Sequence, residues 1–212
     1  KIFAQISTSP MIRRHMANED TVKILLDYLR RDEPNVMNDL FDVIANCCHN
    51  TNFRNLFLQN QGVEAFIVPI KNQEYASKCC YALWILNRSH ESAKVMSTNH
   101  LSNVLDQYTS KKALSTISDE LMLNITRLMY SMALYGKANE KQITDKQLVF
   151  FCTGLGREDP LLLEWSARAF TIFTMNEEQQ KTFNQNGPDQ CQGPVKLTRL
   201  LDNPVTNVVL SG

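Results

Sequence analysis

Cysteine and histidine are the residues here whose types most readily suggest chemistry. Cys47, Cys48 and His49 are consecutive, Cys79 and Cys80 repeat the pair, and His90 follows. Zinc needs ligands converging at tetrahedral angles, usually from knuckles with two to four residues between cysteines. Adjacent residues on a helix diverge by about 100°. Both pairs lie in apolar, helix-like stretches, so small buried side chains explain them better than a metal site. Catalytic patterns are also missing: there is no Gly-rich phosphate loop, no HExxH and no GxSxG elbow. The histidines (His15, His49, His90, His100) are scattered along the chain, and only His15 has a carboxylate at helical spacing, Glu19. The sequence therefore predicts no enzyme and no cofactor. Cys191 sits in a Gly/Pro-rich insertion at 186–195, read as a tolerated surface loop. Trp84 and Trp165 fall inside apolar helical stretches; Trp84 is expected in the core, with Phe150, Phe151, Phe170 and Phe173. For Trp84 the sharper alternative is a binding anchor.

The elements that would position such residues follow from composition and pattern. The 212-residue chain has only 7 Gly and 7 Pro against 43% hydrophobic residues. So few turn formers favour long helices over many short strands. Basic and acidic residues balance at 22 each. No basic excess marks the chain as a binder of phosphate backbones, so nucleic acid is a disfavoured partner. The adjacent cysteines do not form a secreted disulfide framework, and no signal peptide or long apolar span is seen. A cytoplasmic location off the membrane is the expectation, with nuclear, ciliary or cytoskeletal sites also compatible.

The chain repeats itself. Arg31, Asp32, Glu33, Pro34 and Asn50 match Arg157, Glu158, Asp159, Pro160 and Asn176, and Phe57, Gln59 and Asn60 match Phe183, Gln185 and Asn186. The offset is 126 throughout, three steps of about 42 residues. Apolar segments at 43–48, 81–87, 128–134 and 169–174 serve as rulers for the intervening steps. They divide a single 1–212 segment into repeats at 32–72, 73–113, 114–156 and 157–203. A partial repeat (1–31) precedes them, and 204–212 starts another. In each repeat a helix of about 14 residues is followed by a short helix and a second amphipathic helix. Gly62, Asn99 and Gly187 occupy the breaks between the last two, where a positive φ is often needed. Neither end reads as a polar cap, which suggests a piece of a longer stack.

The stretch NFRNLFLQNQGVEAFIVPIKNQEYASKCCYALWILNRS resembles an armadillo repeat: an Asn-rich opening, a Gly between two helices, then a helix rich in small residues. The resemblance implies an all-α, right-handed α-solenoid of three-helix repeats, a HEAT-like α-α superhelix being the alternative. It also implies a concave groove, lined by the third helices, that holds extended protein segments. Laying the family's Trp and Asn positions on this chain gives Asp42 and Asn46, Tyr81 and Ile85, Arg127 and Ser131, Arg168 and Ile172. Only Asn46 matches, which argues against a receptor for nuclear-localisation signals. The remaining row of Asp42, Tyr81, Arg127 and Arg168, with Lys78, Arg88 and Asn124 as neighbours, suggests a partly basic groove for an acidic or phosphorylated segment. The expected function is a protein-binding scaffold or adaptor. The alternatives are a regulatory helical-repeat region of a cytoskeletal or ciliary protein, and an RNA-binding α-solenoid. The last requires base-reading side chains recurring in every repeat, and these positions do not recur.

Overall fold

Proline opens two of the long helices, at Pro34 and Pro160. Its fixed φ suits a first turn, where its missing N–H has no partner to lose. The computed structural model describes residues 1–31, 33–136 and 145–173, and every regular element among them is helical. They are α1 (Ile2–Ile6), α2 (Pro10–Met16), α3 (Glu19–Arg31), α4 (Pro34–Cys47), α5 (Thr51–Gln59), α6 (Gly62–Phe66), α7 (Gln73–Leu86), α8 (His90–Thr98), α9 (Leu101–Leu105), α10 (Lys111–Thr116), α11 (Asp119–Tyr135), α12 (Asp145–Gly154) and α13 (Pro160–Phe173). Short 3₁₀ turns extend α6 and α9, at Pro69–Lys71 and Asp106–Tyr108. No described helix is long and apolar enough to cross a membrane. The expected helices at 177–186 and 195–203, the 186–195 loop with Cys191, Gly187, the repeat start at 204–212 and the Phe173 side chain lie outside the described residues.

The chain forms two compact units, divided after Val104. In the first, α4 packs on α7, α1 lies on α4, and α3 contacts α4, α5 and α6. Helix starts are fixed by side chains that accept otherwise unpaired N–H groups. Asn50 accepts from Phe53 N, Asn72 from Glu74 N, and Ser89 from Ser92 N, with Ser92 Oγ accepting in return from Ser89 N. A chain of buried rings joins four helices. Phe53 stacks on Phe57 at 5.7 Å, Phe57 meets Phe66 edge-on at 6.0 Å, and Phe41 lies 5.7 Å from Phe66 and 6.0 Å from Tyr75.

The break before α6 differs from the sequence expectation. Left-handed backbone falls at Gln61 and His100, with φ of 62° and 52°, and Asn99 has φ −83°. Gly62 is required for space instead. A Cβ there would lie 2.1 Å from the Phe57 ring and 2.6 Å from the Phe57 carbonyl oxygen. Gly62→Ala is therefore expected to cost about 1–3 kcal/mol, as overpacking does, read as a lowered urea midpoint.

In the second unit α11 packs chiefly against α13, and α12 packs against both. Ser118 caps α11 by accepting from Leu121 N, and Asp119 and Glu120 follow at the positive end of the helix. The core contains Met122, Ile125, Leu128, Phe150, Phe151, Leu162 and Phe170. Arg157 links the turn before α13 to its neighbours, donating to Leu114 O at 3.0 Å and pairing with Asp119 at 3.3 Å.

Candidate functional site

The predicted site residues fall into three groups. In the first unit, Asp42 and Asn46 on α4 and Tyr81 on α7 line one cleft with Ala4, Gln5 and Thr8 of the α1 region. Its volume is about 280 Å³. Lys78 reaches across from α7 to α4, pairing with Asp42 at 2.7 Å and donating to Asn38 O at 3.2 Å. The pair is more than a third exposed, so its worth is small, about 0.2–1 kcal/mol. Asn46 donates Nδ2 to Ala4 O at 3.3 Å and Ser7 Oγ at 3.0 Å. These bonds engage its amide donors within the fold, leaving Oδ1 as an acceptor.

The second group is aromatic. Tyr81 is 36% exposed, and its ring lies 5.6 Å from that of Trp84, one turn further along α7. The Arg88 guanidinium carbon sits 5.2 Å from the Trp84 centroid, within cation–π range.

The third group belongs to the second unit. Arg127 on α11 and Arg168 on α13 both lie against the Trp165 indole, at 5.3 and 5.5 Å from its centroid. Tyr130 meets the same indole edge-on at 5.4 Å. Glu164 orients Arg168 through contacts of 2.9 Å to Nε and 2.8 Å to Nη2. Asn124, expected at the surface, is buried because its face of α11 is covered by packing; its Oδ1 accepts from Arg127 Nη1 at 3.4 Å. Its place is behind the arginine.

No family model matches this chain, and neither a curated protein nor a solved structure does. The chemistry of the surface rests on its own side chains.

Phe150, Phe151 and Phe170 are in the core, as expected, but Trp84 is not: it and Trp165 are half-buried and each carries arginine. Spacing held the signal. Trp84 precedes Arg88 by four residues and Trp165 precedes Arg168 by three, the separations that bring helical side chains together. Cys47, Cys48 and Cys80 are buried free thiols, and Cys79 is buried beside Cys80. Burial pushes the Cys47 thiol up to about 12 and raises those of Cys48 and Cys80 as well. Such thiols stay protonated, unlike metal-binding or nucleophilic thiolates. Among the described residues no three His, Cys, Asp or Glu side chains converge as a metal site would require.

Proposed function

We propose that this chain is a segment of an armadillo-like α-solenoid that binds acidic or phosphorylated protein segments, a scaffold or adaptor and not a catalyst. The observation that supports this best is the Arg127–Trp165–Arg168 cluster. Two guanidinium groups from different helices share one half-exposed indole. Arginine presents planar donor pairs that fit carboxylate and phosphate oxygens. An adjacent indole supplies apolar area at low entropic cost, which is why Trp and Arg dominate binding hot spots. Cation and ring thus meet two needs of an acidic segment carrying an apolar side chain. The test is affinity capture with the full chain and with its Arg127→Glu/Arg168→Glu variant. The wild-type chain should retain a protein partner that the variant binds at least about tenfold more weakly, since like charge at an interface costs several kcal/mol. Circular dichroism of both proteins checks that the helices persist. Equal capture by the variant, or recovery of RNA in place of protein, would overturn the reading.

A further inference from the structure

The aromatic pair on α7 and the cleft beside it are parts of one surface. Tyr81 lines the cleft together with Ala4, Thr8, Asp42, Ala45 and Asn46. Its exposed ring lies 5.6 Å from that of Trp84, and the Arg88 guanidinium carbon is 5.2 Å from the same indole. All of these residues belong to the first unit.

Most donors at the cleft are committed inside the fold. Asn46 Nδ2 donates to Ala4 O and Ser7 Oγ, and Thr8 Oγ1 donates to Gln5 O at 2.7 Å. Lys78 Nζ is engaged by Asn38 O and Asp42 Oδ2. These groups therefore offer acceptors: Asn46 Oδ1, Asp42 Oδ1 and the lone pairs of Thr8 Oγ1. The Gln5 amide and the Tyr81 hydroxyl, which can donate or accept, complete the polar lining, and Ala4, Ala45 and the Tyr81 ring supply apolar wall. At about 280 Å³ the cleft is smaller than pockets that enclose whole drug-sized ligands, and it suits a single side chain.

Arg88 is the opposite case. Its side chain is exposed, and its guanidinium forms no ion pair and no hydrogen bond among the described residues. Arg168 differs, because Glu164 already occupies its fork. Arg88 thus keeps its guanidinium donors for a ligand while the indole holds the group in place. Two steps, of 5.6 and 5.2 Å, lead from the Tyr81 ring through the Trp84 ring to these donors. An extended chain advances about 3.3 Å per residue and points alternate side chains to one face. Side chains two residues apart therefore reach the cleft and Arg88 together.

We infer that this surface binds an extended protein segment in which a tryptophan or tyrosine stands two residues from an aspartate or glutamate. The aromatic ring packs against Ala4, Ala45 and Tyr81, and its N–H or O–H donates to Asn46 Oδ1 or Asp42. The carboxylate pairs with the Arg88 fork, and the residue between them covers Trp84. Other side chains fit the cleft less well. An aliphatic one leaves the acceptors dry and unpaired. A carboxylate or phosphate adds acceptors where acceptors already stand, and an ammonium competes with Lys78 for the Asp42 carboxylate. The site lies in the first unit and does not rest on the Arg127–Trp165–Arg168 reading.

The chain has only 2 tryptophans, so the Trp84 indole N–H serves as an NMR reporter in the isotope-labelled full chain, assigned by its loss in Trp84→Phe. The probes are unlabelled, end-blocked peptides with the cores Glu-Ser-Trp and Trp-Ser-Glu. At least one of them should shift the Trp84 signal saturably. In the tighter binder, replacing Glu by Gln should weaken binding about tenfold, and replacing Trp by Phe, which keeps a ring and drops the donor, about fivefold. Arg88→Gln, checked for its helices by circular dichroism, should bind the Glu and Gln peptides alike. The Arg127→Glu/Arg168→Glu variant should give the wild-type titration at Trp84. The site is overturned by a Trp84 signal indifferent to both cores, or by a Phe peptide that binds as tightly as its Trp counterpart. An undiminished preference for Glu in Arg88→Gln, or loss of the Trp84 response in the Arg127→Glu/Arg168→Glu variant, overturns it equally.

Discussion

Phe66→Ala is expected to destabilise the protein by about 3–5 kcal/mol, the usual cost of removing a buried aromatic ring. Phe66 is fully buried and stands between Phe57 and Phe41 in the chain of rings running from Phe53 to Tyr75. Its loss unseats α6 from the rings of both α5 and α4. The cavity cannot close easily, because Gly62 and Phe57 are already in close contact at the other end of α6. Domains of this size hold only about 5–15 kcal/mol in total, so the loss is a large fraction of the margin. Equilibrium urea unfolding monitored by circular dichroism measures it. Phe66→Leu, which keeps most of the volume, should cost distinctly less. A loss below about 1 kcal/mol for Phe66→Ala would mean that the ring chain does not hold the unit together.

The long helices are legible in sequence because their starts carry chemistry that acts locally. Pro34, Pro160, and Ser118 with Asp119 and Glu120 each mark a first turn without reference to anything distant. The short α10 is not legible in that way. Its KKALST sequence has neither a proline entry nor a sustained apolar stripe, and a single Ser110 cap starts it. The site is legible residue by residue but not as a constellation. Asp42 is named by the resemblance to armadillo repeats and Lys78 by helical spacing, yet their mutual ion pair depends on α4 packing on α7. Asn46 resembles a peptide clamp in sequence. Its partners, Ala4 and Ser7, lie about forty residues upstream, where no local pattern reveals them. Trp84 misleads for another reason. Apolar periodicity assigns an indole to the core, although its size and N–H make it the large ring most often left half exposed.

Trp165→Ala is expected to weaken binding of an acidic partner segment by about 2 kcal/mol or more, roughly thirtyfold, while moving thermal stability much less than Phe66→Ala. The indole is half-buried, with Arg127, Arg168 and Tyr130 disposed around it. Without it both arginines lose the surface that restricts their rotamers, and ordering a long side chain on binding costs about 0.5–1.5 kcal/mol each. The apolar contact area is lost as well. Trp165→Phe keeps a ring face and should recover part of the affinity; Arg127→Lys keeps the charge but not the planar fork and should recover little of what Arg127 supplies. Isothermal titration with the captured partner segment separates these effects. Charge reversal at Arg127 and Arg168 acts through electrostatics and would weaken an acidic partner whether or not the indole touches it. Trp165→Ala leaves net charge unchanged, so its loss of affinity reports the ring alone. Wild-type affinity in Trp165→Ala beside lost affinity in the charge-reversal variant would reduce the surface to a cationic patch and remove the indole from the recognition.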